Sequence, residues 1–120
     1  MYYKGYLLEE LADTDKELIS EPVFVRGILR GASGSDKETY AYLQNGDKFI
    51  KLYGTNMHFS NSEEILSLFR ASSESGVEAR VYGSYSKLNR PNHKKDLLTL
   101  HKVELGHNSI EFFQNGRHNL

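Results

Sequence analysis

Four aromatic side chains and one lysine lie at alternate positions of two short segments in the first half of the chain. Together their rings and ammonium group could bind a ligand. Tyr40, Tyr42, Phe49, Lys51 and Tyr53 fall at every second position of two apolar runs. Side chains alternate between the two faces of a β-strand, so these five residues are predicted to share one face. Flat rings around an ammonium group can stack on nucleic acid bases and neutralise a phosphate. The same face could instead form a second core layer under a helix or a partner.

The dipeptide Asn45-Gly46 lies between the two runs, and in that setting it is a strong signal for a β-hairpin. We predict strands at 38–44 and 47–54 joined by a two-residue turn, which places Tyr42 opposite Phe49. The other face of this hairpin is aliphatic and is predicted to line the core. It carries Ala41, Leu43, Ile50 and Leu52.

Basic side chains on neighbouring elements add candidate phosphate contacts. Residues 23–31 are predicted to form a strand with Arg26 and Arg30 on its outward face. The most basic window of the chain follows later and carries four formal positive charges before Asp96. Those four are Lys87, Arg90, Lys94 and Lys95. An alternative interpretation is a solvated loop whose lysines keep a sheet edge soluble.

Composition limits the class of protein. A chain of 120 residues fits one domain, 1–120, with a single modest core. A net charge of −1 argues against a binder that is strongly basic as a whole, and leaves room for a local basic patch. The sequence contains no run of about 18 apolar residues that would predict a membrane span. The N-terminus lacks the long apolar core of a signal peptide. We therefore expect a cytoplasmic protein without a membrane partner.

Motifs for catalysis and metal binding are missing from the sequence. The absence of cysteine excludes disulfides, thiol nucleophiles and cysteine-based zinc sites. The spacing of the five histidines matches no zinc motif. The glycines and serines of residues 31–37 do not form a phosphate-binding loop, and no nucleophile elbow is present. We expect a binding protein and not an enzyme, with no metal and no cofactor.

Other elements must position the candidate site. The predicted elements, in chain order, are an N-terminal extension that is helical or mixed at 1–21, a strand at 23–31, a flexible loop at 31–37, the hairpin, a helix at 60–75, a strand at 77–88, a loop at 89–96, a strand at 97–105 and a C-terminal tail at 106–120. Thr14 with Glu17 resembles a capping box and predicts a second short helical turn. A bulge is predicted near His101, and Ile110 with Phe112 predicts a short docking helix.

The helix at 60–75 has a start signal and a stop signal. Ser60 followed by Glu63 reads as a capping box. Gly76 is a plausible C-terminal stop. The apolar stripe of this helix is short, which favours a helix that plugs one end of a barrel.

The order of elements resembles that of the OB-fold, the oligonucleotide/oligosaccharide-binding fold. The residues that carry the resemblance are Val23–Gly27 in the first strand, the Asn45-Gly46 hairpin, the helix at 60–75, and Val81-Tyr82-Gly83 in the fourth strand. The resemblance covers about residues 22–105. It implies a mainly β protein with a five-stranded Greek-key barrel and one helix between the third and fourth strands.

The resemblance also implies where a ligand would bind. OB-folds bind on the outer face of the second and third strands, between two flanking loops. In this chain those loops are residues 31–37 and 87–96. The resemblance therefore implies a module that binds single-stranded DNA or RNA and has an accessory role in nucleic acid metabolism. Two alternatives use the same face, a protein-interaction or homodimer surface and a sugar-binding surface.

Overall fold

The computed structural model describes residues 2–34, 38–55 and 62–112. Strands dominate this part of the chain, and two helices interrupt them. The elements are β1 Lys4–Tyr6, α1 Leu8–Asp13, β2 Leu18–Gly34, β3 Glu38–Asn45, β4 Lys48–Thr55, α2 Ser62–Ser75, β5 Glu78–Arg90, β6 His93–Leu105 and β7 Asn108–Glu111. Neither of these helices is long and apolar enough to cross a membrane.

Five strands close into a barrel. Strands β2, β3 and β4 form an antiparallel meander, and β4 then runs parallel to β6 with Leu52 beside Leu98. Strand β6 pairs with β5, and β5 returns to β2. The helix α2 lies in the chain between the third and fourth barrel strands. This arrangement confirms the predicted β-barrel class and is compatible with an OB-fold.

The β3–β4 hairpin has the predicted faces but not the predicted register. Its aliphatic residues are buried in the barrel core, as predicted: Ala41, Leu43, Ile50 and Leu52. The structure pairs Tyr42 with Lys51 and not with Phe49, because the turn residues are Gly46 and Asp47. Gly46 has a φ of 63°, and a positive φ at the first central position is what a type II′ turn requires. The partner of every residue moves by two positions, and a shift of two leaves each side chain on its face.

A β-bulge bends β6 where it crosses β5. Tyr82 pairs with Lys102 and Gly83 pairs with Leu100, so His101 is the extra residue. This confirms the predicted bulge. A Cβ atom on Gly83 would lie 2.1 Å from the carbonyl oxygen of Thr99, so the two strands approach closely only because this position is glycine.

The predicted loop at 89–96 is wrong. Strand β5 continues to Arg90 and β6 begins at His93, so only Pro91 and Asn92 form the turn. Backbone pairing needs no apolar side chains, and the charged residues here extend an antiparallel ribbon whose side chains are mostly exposed. The predicted loop at 31–37 is also shorter than expected, because residues 31–34 belong to β2. Residues 35–37 lie outside the described residues.

The N-terminal extension is mixed, as predicted. Strand β1 runs parallel to β2, and α1 buries Leu8 and Leu11 in the barrel core. The helical turn predicted from Thr14 and Glu17 is wrong. Thr14 is the extended C-cap of α1, and its hydroxyl accepts a hydrogen bond from the Lys16 backbone N–H at 3.2 Å.

The C-terminal tail docks as a strand and not as the predicted helix. Strand β7 pairs with β6, with Ile110 opposite Val103. The backbone N–H of Phe112 donates to the carbonyl of His101 at 2.9 Å, and the Phe112 ring joins the core. An unpaired edge of β6 favours a strand here, because pairing satisfies its backbone groups.

The described part of α2 begins at Ser62, so the predicted cap at Ser60 lies outside the described residues. Gly76 ends the helix as predicted, with a φ of 70° and its N–H donating to the Ser72 carbonyl at 2.9 Å. Phe69 of this helix is fully buried in the core, where it contacts Phe112 edge to face. The helix therefore closes one part of the barrel, in line with its short apolar stripe.

Candidate nucleic-acid interface

The aromatic face of the β3–β4 hairpin points into solvent. Tyr40, Tyr42 and Phe49 have exposed fractions of 45%, 41% and 50%. Lys51 is exposed and Tyr53 is half-buried. Because the opposite face fills the barrel, strand alternation forces these side chains outward. The described part of the N-terminal extension, residues 2–21, leaves Tyr40, Tyr42 and Phe49 exposed.

The rings form two pairs across the hairpin. Tyr40 and Tyr53 have centroids 5.2 Å apart, and Tyr42 and Phe49 lie 6.3 Å apart with planes at 86°. Glu38 accepts a hydrogen bond from each hydroxyl of the first pair, at 2.9 Å from Tyr40 and 3.1 Å from Tyr53. The bond to Glu38 raises the pKa of Tyr40, so this phenol stays neutral at physiological pH. The first pair is therefore fixed in orientation, whereas the second presents free ring surface.

Two adjoining cavities follow the aromatic face. The larger, of about 450 Å³, lies between this face and the β5–β6 ribbon. The smaller, of about 300 Å³, extends toward the end of β2. Tyr42 and Lys51 line both cavities, so the two form one path across the hairpin, which we call the groove. The lining of the larger cavity is Tyr42, Phe49, Ile50, Lys51, Lys87, Leu88, Asn89, Lys94, Lys95 and Asp96.

Three of the predicted cations are available for a ligand. Lys51, Lys94 and Lys95 line the groove, and all three are exposed. Among the described residues, none of their ammonium groups donates a hydrogen bond or forms an ion pair. Their ammonium groups are therefore free to contact phosphate in this groove.

Lys87 also lines the groove, but its ammonium is already bonded. It donates to the carbonyl of Leu11 at 3.0 Å and to that of Ala12 at 2.7 Å. These carbonyls belong to the last turn of α1, where a cation is favourable. Lys87 therefore ties α1 to the edge of the barrel, a role that the sequence analysis did not predict.

Arg90 lies outside the groove lining. Its guanidinium makes a bidentate ion pair with Glu17, at 2.7 Å and 3.0 Å. The hydrogen bond from Arg90 lowers the pKa of Glu17. Both side chains are largely exposed, so the pair adds little stability. Glu17 nevertheless already pairs with the guanidinium of Arg90, which the sequence analysis predicted to contact a phosphate.

The two predicted arginines of β2 are also engaged elsewhere. Arg30 donates to Oε1 of Gln44 at 2.9 Å and to the carbonyl of Ser73 at 2.6 Å, which joins β2 to α2. Arg26 lies 5.5 Å from the centroid of the Phe24 ring. Its neighbour across the β2–β5 pairing is Arg80, and none of these residues lines the groove.

A second aromatic cluster is formed by Tyr3, which directly precedes β1, with Phe24 on β2 and Tyr82 on β5, and Arg26 belongs to it. Phe24 and Tyr82 stack with centroids 4.7 Å apart, and Tyr3 contacts Tyr82 edge to face. Cations already lie over these rings, since Lys102 is 4.7 Å from the Tyr82 centroid. This cluster anchors the N-terminal strand and offers little free ring surface.

Sequence reasoning missed Asp96 and Asn89 as groove residues. Both lie in the window that was predicted to be a loop, where no direction can be assigned to a side chain. In the ribbon, Asp96 pairs with Lys87 and Asn89 pairs with Lys94. The Pro91-Asn92 turn signal, followed outward residue by residue, would have given this register. The described residues contain no group of three His, Asp or Glu side chains placed to hold a metal.

One comparison with a solved structure supports the fold. No protein-family model matches the sequence, and no curated protein matches it. The chain is similar to the crystal structure of a provisionally assigned aspartyl-tRNA synthetase from Leishmania major Friedlin, with a TM-score of 0.58 and 13% identity. That match covers 92% of this chain and 21% of the synthetase, so the chain spans about a fifth of its length. A second match is the OBody AM3L09 bound to hen egg-white lysozyme, with a TM-score of 0.49, 10% identity, and coverage of 73% of this chain and 83% of that one.

Proposed function

We propose that this protein is an OB-fold module that binds single-stranded DNA or RNA in the groove, in an accessory and non-catalytic role. The observation that carries the proposal is the combination of exposed rings and free ammonium groups along one path. Tyr42 and Phe49 supply the rings, and Lys51, Lys94 and Lys95 supply the charges. The similarity to part of a provisionally assigned aspartyl-tRNA synthetase is consistent with this proposal.

Stacking gives the binding energy that does not depend on sequence. Each base has a flat π face, and a stack on an exposed ring is worth roughly 1–3 kcal/mol. Tyr42 and Phe49 are 6.3 Å apart and nearly perpendicular, so successive bases would meet a face of one ring and an edge of the other. Unstacked bases of a single strand can reach such rings, whereas bases inside a duplex cannot.

The lysines supply the second part of the energy. Lys51 stands directly opposite Tyr42 in the hairpin, between the two cavities. Lys94 and Lys95 come from the β6 side of the groove, so the backbone of a bound strand would run between two positively charged walls. A protein with a net charge of −1 concentrates these charges where the rings are, and binding should weaken as salt rises.

Fluorescence anisotropy with short labelled oligonucleotides of mixed sequence tests the proposal. We expect binding at low salt that Phe49→Ala weakens about tenfold and that Tyr42→Ala with Phe49→Ala weakens further, because each exposed ring that is removed costs roughly 1–3 kcal/mol of stacking. Tyr2→Ala is the matched control, since Tyr2 is 82% exposed and lies outside the groove. Failure of the wild-type protein to bind at low salt, or equal losses in Tyr2→Ala and Phe49→Ala, would count against nucleic acid binding at this face.

A protein partner is a second candidate for the same face. The hairpin exposes three aromatic side chains by 41% to 50%, and exposed aromatic residues are also typical of the centre of a protein interface. Light scattering after size-exclusion chromatography separates the two functions. A dimer that persists at high salt and breaks on Phe49→Ala, without any oligonucleotide binding, would favour the interface.

A further inference from the structure

We propose that Asp96 selects guanine in the groove, as a specificity-determining residue; this inference rests on the proposed binding of single-stranded nucleic acid. Asp96 lines the larger cavity together with Phe49, Lys94 and Lys95. It is exposed, so its carboxylate can reach a bound base. Three properties of this carboxylate support the role, namely its fixed position, its free acceptor capacity, and its match to one base.

A buried hydroxyl fixes the Asp96 carboxylate. The Tyr85 side chain is fully buried in the barrel core, and its hydroxyl donates to Oδ1 of Asp96 at 2.5 Å. Because the ring cannot move without disturbing the core, one carboxylate oxygen is held at the floor of the groove. Recognition groups that are held in place in advance lose less entropy when a ligand binds.

The second oxygen is free to accept from a ligand. Oδ2 of Asp96 has no hydrogen bond to any residue in the described part of the chain, and Oδ1 retains one lone pair. Lys87 is the residue paired with Asp96 across the ribbon, but its ammonium is bonded to the carbonyls of α1. The carboxylate therefore faces the groove with acceptor capacity and no competing cation bonded to it.

Guanine is the base whose donors match a carboxylate. Its Watson–Crick edge presents N1–H and N2–H side by side, which pair with two carboxylate oxygens at once. Adenine and cytosine present one amino donor beside an acceptor nitrogen, and thymine or uracil presents one N–H between two acceptor oxygens. A carboxylate repels those acceptors, and it also repels phosphate. Its presence beside the three lysines with unbonded ammonium groups therefore favours recognition of a base edge.

A set of labelled oligothymidylates with one variable central residue tests the inference by anisotropy at constant salt. The variable residue is guanine, hypoxanthine, adenine, cytosine or thymine. A bidentate contact discriminates by about tenfold or more, so we expect guanine to bind about tenfold tighter than thymine. Hypoxanthine, which keeps N1–H and lacks the N2 amino group, should fall between them. These measurements need only the wild-type protein.

Variants then assign the preference to Asp96. Asp96→Asn keeps an oxygen that accepts from Tyr85 but turns an amide donor toward the groove, so the guanine preference should fall below about twofold. Asp47→Asn is the matched control, because it removes the same charge from an exposed turn residue outside the groove lining and should keep the preference. Tyr85→Phe, which releases the carboxylate, should reduce the preference while leaving general binding in place.

The outcomes separate this inference from the proposed function. Absence of binding by every oligonucleotide would overturn both. Tight binding of all oligonucleotides with equal affinities would overturn only the role of Asp96, as would a guanine preference that survives Asp96→Asn. A merely structural Asp96 would change the melting temperature or the affinity for all bases alike, and the ratio between guanine and thymine would not move.

Discussion

Removal of the Tyr85 hydroxyl from the barrel core should measure how strongly the core holds the Asp96 carboxylate in the groove. Tyr85 is fully buried on β5, and its hydroxyl lies 2.5 Å from Oδ1 of Asp96. Tyr85→Phe keeps the ring and the packing and deletes only this donor. The Leu11 carbonyl, 3.3 Å from the same hydroxyl, does not lose its only partner because Lys87 also donates to it at 3.0 Å.

The expected loss follows from these contacts. A hydrogen bond to a charged group contributes about 1.5–3 kcal/mol. Asp96 is exposed and regains water when the hydroxyl is removed, so we expect the lower end, about 1.5 kcal/mol. For a chain of 120 residues this corresponds to a fall in melting temperature of about 6 °C. Urea denaturation and thermal melting followed by circular dichroism measure both quantities.

The same variant has a signature at high pH. Burial, and then the hydrogen bond to Asp96, raises the pKa of the Tyr85 hydroxyl far above its ordinary value. The unfolded chain releases this proton as pH rises past about 10, whereas the folded protein retains it. The stability from Tyr85 is therefore fully present below pH 10 and is lost as pH rises above it. Tyr85→Phe should show a shallower alkaline loss, with the other tyrosines common to both proteins.

Two results would refute this reasoning. The first is a Tyr85→Phe protein that is within about 0.3 kcal/mol of the wild type at pH 7, a change too small for a hydrogen bond to a charged group. The second is an alkaline stability profile that is identical in the two proteins. The first result would mean that the Tyr85 hydroxyl does not hold Asp96, and the second that burial and this hydrogen bond do not raise the pKa of Tyr85.

The structure makes two more predictions. Gly83→Ala should destabilise the barrel by about 2 kcal/mol, because the added methyl would meet the Thr99 carbonyl of the neighbouring strand; chemical denaturation measures this, and Gly5→Ala, whose nearest atom would be 3.9 Å away, should be near neutral. Lys94→Ala should weaken oligonucleotide binding and reduce the slope of log affinity against log salt by about 0.7. Arg90→Ala should change neither, because Glu17 already holds that side chain.

Each of these predictions has a contrary result. Equal stabilities of Gly83→Ala and Gly5→Ala would contradict the close approach of β5 to β6. An Arg90→Ala protein that loses as much affinity and as much salt slope as Lys94→Ala would show that Glu17 releases Arg90 to the ligand.

The direction of the aromatic face could be predicted from the sequence, because it depends only on strand alternation. The predicted partner of Tyr42 was wrong by two positions, since the turn lies at Gly46-Asp47. A shift of two preserves the face, so the error did not affect which rings point outward. The order of the barrel strands could also be predicted, because Gly27 and Gly83 lie midway in the first and fourth strands and a helix lies between the third and fourth.

The sequence alone could not distinguish the basic side chains that are free to contact a ligand from those that are bonded within the protein. Lys87, Arg90 and Arg30 have the same local signal as Lys94 and Lys95, but each bonds a group far away in the chain. Those partners are the α1 carbonyls, Glu17, and Gln44 with Ser73. Only tertiary structure brings them together, and the same applies to the contact that holds Asp96.

The location of the ligand is the central claim, and chemical-shift mapping tests it most directly. The measurement is a titration of ¹⁵N-labelled protein with a short mixed-sequence single-stranded oligonucleotide, followed by two-dimensional NMR. We predict that the largest shifts fall on the groove, at Tyr42, Phe49, Lys51, Lys94 and Lys95. Shifts confined to the second aromatic cluster, or no shifts at low salt, would contradict the account.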